Sequence, residues 1–314
     1  MTLAELEAAI RDRINDRRKQ HDLLGRPLDW NRLCSALDVL GDTELALTAY
    51  LNHPPINDDG LAYLHVYGAL QLLQAQQDAA AKVCLALGLR PSTPPTLPDI
   101  RQIRSSSVGH SPEQKENKVT RSHFIVRASL SQHSFELTTV YSDNRPYGRQ
   151  AVSIPTLIAK QREALAQSLS EVIQLLDKAE LEYRERHRSE RLADCFPQTL
   201  SYHFGKVFET IPDRHLHAFG MANLRVVIDS LAALGSLLEK REVWSIYDTI
   251  QHHYELLEYP IAELMAYFSE TGDSTLNEKD AFIFASFVQQ EIRNLHEFVR
   301  ELDEKYSETP GTAG

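Results

Sequence analysis

The chain has 314 residues, of which 42% are hydrophobic and 25% charged, and its formal net charge is -11. This length suits two globular domains, with one large domain as the alternative. The acidic balance disfavours broad, sequence-independent nucleic-acid binding, which shows as a basic domain or stripe, but it allows a small local phosphate site. No run of about 18 apolar residues occurs, so no membrane span is predicted.

The opening stretch and the cysteines both favour a cytoplasmic location. Residues 1–20 are charged throughout and lack the apolar centre and the small-residue cleavage site of a secretory signal. Cys34, Cys84 and Cys195 lie far apart, without the spacing of a disulfide framework or a zinc site. We interpret them as core thiols of a protein in a reducing compartment.

Helical periodicity dominates the first half of the predicted N-terminal domain. Apolar residues that recur at helical spacing from Leu3 to Ile14 predict a first helix. A second helical region covers residues 29–52 and is predicted to break near Gly41 and Asp42.

Two further helices complete the predicted N-terminal domain. A long one covers residues 58–89 and ends before a proline-rich loop. The next opens after Pro98 and ends at Gly109 and Pro112. Four helices joined by short loops favour a bundle.

The pattern then changes to short strands over residues 121–154. The stretches SHFIVRASL, HSFELTTVYS and RQAVSIP are rich in β-branched and aromatic residues and predict three antiparallel strands. Residues 155–306 are predicted to be helical, and residues 307–314 disordered. The expected fold class is mainly α, with a four-helix bundle over residues 1–120, a small antiparallel β insert and an all-helical C-terminal domain.

The last predicted helix has an apolar seam with alternating four- and three-residue spacing, which predicts packing against another helix of this chain or of a second copy. The seam consists of Val288, Ile292, Leu295, Val299 and Leu302. The same helix contains Arg293 and His296, which we interpret as part of a face of this helix.

Arg104 and His110, near the end of the fourth predicted helix, are the candidate catalytic pair. A guanidinium stays charged and donates two parallel hydrogen bonds to phosphate oxygens. A histidine takes or gives a proton near neutral pH. The two positions lie roughly 9 Å and 120° apart on a regular helix, so the backbone must loosen at Gly109 to bring them together. Ser105 and the two serines after it leave room for a substrate.

A polar stripe on the preceding helix is expected to border the same cleft. Tyr67, Gln71, Gln74 and Asp78 fall at intervals of four, three and four residues, beside the apolar face of that helix. We expect Asp78 or a glutamine to orient the arginine or the imidazole. The alternative is an ordinary exposed edge of an amphipathic helix.

Two other patterns lead to no predicted site. Arg127 and His133 have the same spacing as Arg104 and His110, but they fall in a strand and its turn, and we interpret them as surface residues of the sheet. The second half also holds a group of histidines and glutamates: His215, His217, His252, His253, Glu255 and Glu258. Their spacing matches no usual ligand pattern, so no metal is predicted.

The segment VYGALQLLQAQQDAAAKV, followed after a loop by IRQIRSSSVGHSP, resembles bacterial members of the HEPN superfamily. Ribonucleases of this superfamily share an arginine and a histidine with four to six residues between them. Here five residues stand between Arg104 and His110. The resemblance covers roughly residues 1–120. One departure is Ser105, where the family nucleases often have asparagine, aspartate or histidine.

The resemblance implies RNA cleavage without a metal or other cofactor. The ribose 2′-hydroxyl would attack the adjacent phosphate and leave a 2′,3′-cyclic phosphate and a 5′-hydroxyl, with His110 as the acid–base group and Arg104 on the phosphate. It also implies a homodimer, with RNA or a nucleotide as ligand, in a toxin–antitoxin or antiviral setting with an antitoxin or regulatory partner. The competing interpretations are a non-catalytic HEPN-fold nucleotide-binding or protein-interaction module and a helical scaffold without a pocket function.

Overall fold

The computed structural model describes residues 1–90, 94–108, 113–116, 119–143, 145–269 and 274–307. The chain divides into two compact units, residues 1–178 and residues 179–314. As expected, it is mainly helical and contains a small antiparallel sheet.

Five helices open the described part of the first unit, and side-chain caps at Thr2, Asp16 and Asp58 begin three of them. The Thr2 hydroxyl accepts a hydrogen bond from the Glu5 N–H, while the Glu5 carboxylate accepts one from the Thr2 N–H. The Asp58 carboxylate accepts from the Leu61 N–H. The helices are α1 (Leu3–Ile14), α2 (Arg17–Leu24), α3 (Pro27–Leu51), α4 (Asp59–Ala86) and α5 (Thr96–Val108).

Helix α3 runs unbroken through Gly41, so the predicted break there is wrong. Buried leucines continue on both sides of this position, from Leu37 to Leu47, and the packing therefore favours one helix. Thr43 is buried and donates its hydroxyl to the carbonyl of Val39 at 2.7 Å. That bond satisfies the hydroxyl inside the helix instead of capping a new one.

The sheet is antiparallel, with the strands in chain order. Its strands are β1 (Glu113–Glu116), β2 (Val119–Ile125), β3 (Ser134–Tyr141) and β4 (Gly148–Ser153). The three predicted strands correspond to β2, β3 and β4, and the residues after β2 form a 3-10 turn, Arg127–Ser129. Phe135, Leu137 and Val152 are buried together with helical residues, so one face of the sheet covers the helical core.

Two apolar clusters form the core of the first unit, and three buried glutamines lie between them. Along α4, residues 66–73 belong to one cluster and residues 79–86 to the other. Helix α6 (Ile154–His187) likewise contributes residues to both clusters, on either side of Gln161. Gln76 and Gln77 of α4 and Gln161 of α6, each at most 5% exposed, are called the amide layer below.

The boundary between the units lies inside α6, after Lys178, whereas the predicted domain limits were residues 120 and 154. The first part of α6 belongs to the first unit because its leucines, among them Leu157 and Leu169, complete both apolar clusters of that unit. The other helices of the second unit are α7 (Leu200–Thr210), α8 (His217–Lys240), α9 (Asp248–Phe268) and α10 (Glu278–Ser307).

The predicted seam of α10 is buried in the core of the second unit, where α10 packs against α9 and α7. The helix partner of this seam is therefore supplied by the same chain. One stretch of this unit, Arg214–Lys240, is long and apolar enough to cross a membrane by length and composition. Leu224, Leu231 and Leu234 of this stretch lie in the core, and core helices commonly meet the same criterion.

Candidate functional site

Arg104, near the end of α5, carries a positive charge that no described carboxylate neutralises. Its Nη2 donates to Oε1 of Gln71 on α4 at 2.7 Å. The side chain is half-buried, and its Nε is buried without a hydrogen-bond partner among the described residues. Within the described part of the chain Arg104 has no ion-pair partner. A half-buried cation held only by a neutral amide keeps its capacity to bind an anion.

Arg101, one turn earlier on α5, is already paired. Its Nη2 lies 2.9 Å from Oδ1 of Asp78, and its Nε donates to Oε1 of Gln77 at 3.3 Å. Gln74 donates to the other oxygen of Asp78 at 2.9 Å. The charge of Arg101 is therefore balanced within the contact between α4 and α5.

The predicted polar stripe of α4 divides between these two arginines. Gln71 accepts a hydrogen bond from Arg104. Farther along the stripe, Asp78 pairs with Arg101 and accepts a hydrogen bond from Gln74. Tyr67 has no hydrogen bond to either arginine within the described residues, and its ring packs edge-on against Tyr63, with 5.7 Å between centroids. Burial and the neighbouring Tyr63 raise the pKa of Tyr67.

His110 lies outside the described residues, so the structure gives no distance from it to Arg104. Helix α5 is described up to Val108, two positions before the histidine. Ser105 is half-buried, Ser106 is buried, and the Ser107 hydroxyl is buried without a partner among the described residues. The three residues that follow Arg104 on α5 are therefore small and polar.

The amide layer connects this face with the interior of the unit. Gln161 donates to Gln76 at 2.8 Å and accepts from Gln77 at 2.7 Å. Gln77 also accepts from Arg101, and Gln76 donates to Glu44 of α3 at 3.3 Å. One hydrogen-bonded chain thus runs from Glu44 through the core to Arg101. Such a chain fixes the rotamers of its members, because each lost bond would leave a buried polar group unpaired.

A cavity of about 300 Å³ lies beside Arg101, between α4, α5 and α6. Its lining is mostly apolar, with Leu97 and Leu165 among its residues, and Cys84 contributes a thiol. Burial raises the pKa of Cys84 to about 11. The thiol is therefore protonated at neutral pH and a poor nucleophile, and Arg104 is not part of the lining.

The second pair with the same spacing is placed differently. Arg127 begins the 3-10 turn after β2, and its exposed side chain forms an ion pair with Asp59 at 3.2 Å. His133 lies just before β3, half-buried, with its ring edge-on to Tyr50 at 5.4 Å between centroids. The charge of Arg127 thus has a partner, whereas Arg104 has none among the residues that the structure describes.

His133 belongs to a cluster of aromatic rings near the end of α3 and the start of α4. The rings of His53 and His65 are 4.6 Å apart, and both His65 and His133 pack against Tyr50. Burial lowers the pKa of His65, and the nearby His53 and His133 lower it further. These four residues are called the histidine cluster below.

The histidines of the second unit have partners of other kinds. His253 Nδ1 lies 2.7 Å from a Glu291 oxygen, and His217 packs against the rings of Tyr267 and Phe268. Among the described residues, no group of three histidine, cysteine, aspartate or glutamate side chains is placed to hold a metal ion.

Sequence reasoning did not single out Arg101, Gln77 or Gln161, although a signal for each was present. Arg101 precedes Arg104 by three residues and therefore shares its helix face. Gln161 stands three residues after Ile158 and four before Leu165, inside the buried stripe of α6. A glutamine in such a stripe needs a polar partner, which points to other buried amides.

No protein-family model matches this chain, and comparisons with curated proteins and with solved structures find no match. What the site does is therefore inferred from its own residues.

Proposed function

We propose that the chain is a metal-independent endoribonuclease of the HEPN type, in which Arg104 binds an RNA phosphate and His110 transfers protons. The N-terminal helices would form the HEPN-like bundle. The protein would act in the cytoplasm as a homodimer, as a toxin or antiviral effector controlled by an antitoxin or another regulatory protein.

The observation that supports the proposal is the uncompensated charge of Arg104. Arg101, on the same face of α5, has Asp78 as a counter-charge, whereas Arg104 has only the amide oxygen of Gln71 among the described residues. An RNA phosphate would supply the missing negative charge and could accept two parallel hydrogen bonds from the guanidinium.

The proposed reaction breaks the bond between phosphorus and the 5′-oxygen. The ribose 2′-hydroxyl attacks the adjacent phosphorus, and the products carry a 2′,3′-cyclic phosphate and a 5′-hydroxyl. His110 would accept the proton of the 2′-hydroxyl or donate one to the leaving 5′-oxygen. Arg104 would offset the negative charge that builds on the non-bridging oxygens, while Gln71 holds its guanidinium in place.

The test is cleavage of end-labelled RNA in excess chelator by the wild type and three variants. We expect Arg104→Ala to lower the cleavage rate about 100-fold or more, because a preorganised charge contact to the reacting group is removed. His110→Ala should lower it by about 100-fold or more through loss of proton transfer. Arg101→Ala is the matched control, since it removes a paired arginine one turn away, and it should keep most of the activity and the cyclic phosphate ends.

Thermal unfolding of each variant separates a catalytic effect from a folding defect. Cleavage that persists in both Arg104→Ala and His110→Ala would contradict the proposal. Folded wild type that cleaves no RNA, but binds RNA or a nucleotide through Arg104, would favour the alternative, a non-catalytic HEPN-fold nucleotide-binding or protein-interaction module.

A further inference from the structure

One face of α10, beside its buried seam, carries a straight polar stripe in the second unit. Gln289, Arg293, His296 and Arg300 recur at intervals of four, three and four residues and therefore share one side of the helix. All four line a cavity of about 360 Å³. Both arginines are exposed, and the half-buried His296 ring lies 5.1 Å from the ring of Phe196.

The segment before α7 forms the other wall of this cavity, and a buried ion pair holds it in position. The carboxylate of Asp303 accepts hydrogen bonds from the N–H groups of Leu192 and Ala193, at 3.0 and 2.9 Å. Nη1 of the buried Arg241 lies 3.4 Å from the same carboxylate. The wall is therefore anchored by groups of the chain itself, without any ligand.

The rim of the cavity is positively charged. Arg191, Arg293 and Arg300 line it together with one carboxylate, Asp194, in a chain whose net charge is -11. Arg191 and Arg300 each approach a carboxylate only at the limit of ion-pair distance, 4.0 and 3.8 Å. Arg293 has no hydrogen-bond or ion-pair partner within the described part of the chain.

Beneath this rim the lining mixes apolar side chains, Phe196, Phe204 and Ile292, with polar ones, among them Ser201 and Gln289. A cationic rim beside aromatic side chains suits a ligand that has both a planar ring and a phosphate group. The volume falls in the range of small-molecule sites, about 300–1,000 Å³.

We propose that the second unit binds a nucleoside phosphate in this cavity, with the phosphate on Arg293 and Arg300 and the base beside the His296 ring, which packs on Phe196. The site uses no residue of the proposed ribonuclease centre, so either proposal can fail without the other.

The test is titration calorimetry of the full chain with AMP, adenosine and inorganic phosphate. We expect AMP to bind at least about tenfold more tightly than adenosine, and inorganic phosphate to compete with it, because the arginines contact the phosphate. Arg293→Ala and Arg300→Ala should each weaken AMP binding about tenfold. Arg225→Ala removes an exposed arginine of α8 outside the cavity and should leave the affinity unchanged.

Four results would overturn the proposal. The first is AMP that binds no more tightly than adenosine, or not at all, and the second is equal affinity in Arg293→Ala and Arg225→Ala. The third is AMP binding that depends on Arg104 instead, which would move the nucleotide to the first unit and leave the proposed function intact. The last is binding of single-stranded RNA, but not of AMP, through Arg293, which would make the cavity a nucleic-acid contact.

Discussion

Replacing Asp303 with asparagine is expected to destabilise the second unit by about 3–5 kcal/mol. Asp303 is 6% exposed and Arg241 is 2% exposed, so the pair is removed from water. The substitution leaves a buried guanidinium without its counter-charge, which is the costly way to break such a pair. It also weakens the acceptor for the backbone N–H groups of Leu192 and Ala193.

The two tryptophans allow each unit to be followed by itself, because Trp30 packs in the first unit and Trp244 in the second. In a Trp30→Phe background, the fluorescence of Trp244 reports urea unfolding of the second unit. Glu301→Gln, an exposed carboxylate on the same helix as Asp303, is the matched control and should change stability by no more than about 0.5 kcal/mol. An Asp303→Asn protein as stable as this control would contradict the prediction.

Gln161→Leu is expected to destabilise the first unit by about 2–5 kcal/mol, although it adds an apolar side chain to the core. The substitution removes the acceptor of the Gln77 amide and the donor to the Gln76 oxygen. Each buried polar group left unpaired costs about 1–3 kcal/mol, and the new apolar contacts offset only part of that.

The measurement is urea unfolding followed by Trp30 fluorescence in a Trp244→Phe background. Gln167→Leu, at an exposed position of α6, is the control and should leave stability nearly unchanged. Replacing Gln76, Gln77 and Gln161 together by leucine should recover part of the lost stability. The triple variant has no buried amide of this layer left without a partner. If Gln161→Leu matched the Gln167→Leu control, the amide layer would have no role in stability.

Most helices could be predicted from apolar spacing because burial imposes that spacing directly. The stripe from Leu3 to Ile14 and the seam of α10 are buried as the periodicity indicates. The break predicted near Gly41 was wrong because a glycine weakens a helix by only about 1 kcal/mol, which the packing of neighbouring leucines exceeds. Strand β1 was missed because Glu113–Glu116 is charged and lacks the alternation of a half-buried strand.

The candidate site could be predicted only in part, because a spacing does not reveal counter-charges. Arg104 and Arg127 each stand six positions before a histidine, and the sequence alone could not show that Asp59 neutralises Arg127. Nor could it show that Asp78 forms its ion pair with Arg101, whereas Arg104 is hydrogen-bonded to Gln71. These pairings depend on how α4 and α5 are rotated against each other, which is a property of the packed unit.

The histidine cluster makes the join between α3 and α4 sensitive to mild acid. Above about pH 6.5, the unperturbed histidine value, His65 is neutral in the folded and the unfolded chain and adds no pH dependence. Because its folded-state pKa is lowered, the unfolded chain takes up the proton first as the pH falls below that value. The stability of the first unit therefore declines with falling pH down to the lowered pKa of His65. A fall in pH below about 6.5 would therefore weaken the first unit through the residues where α3 and α4 meet.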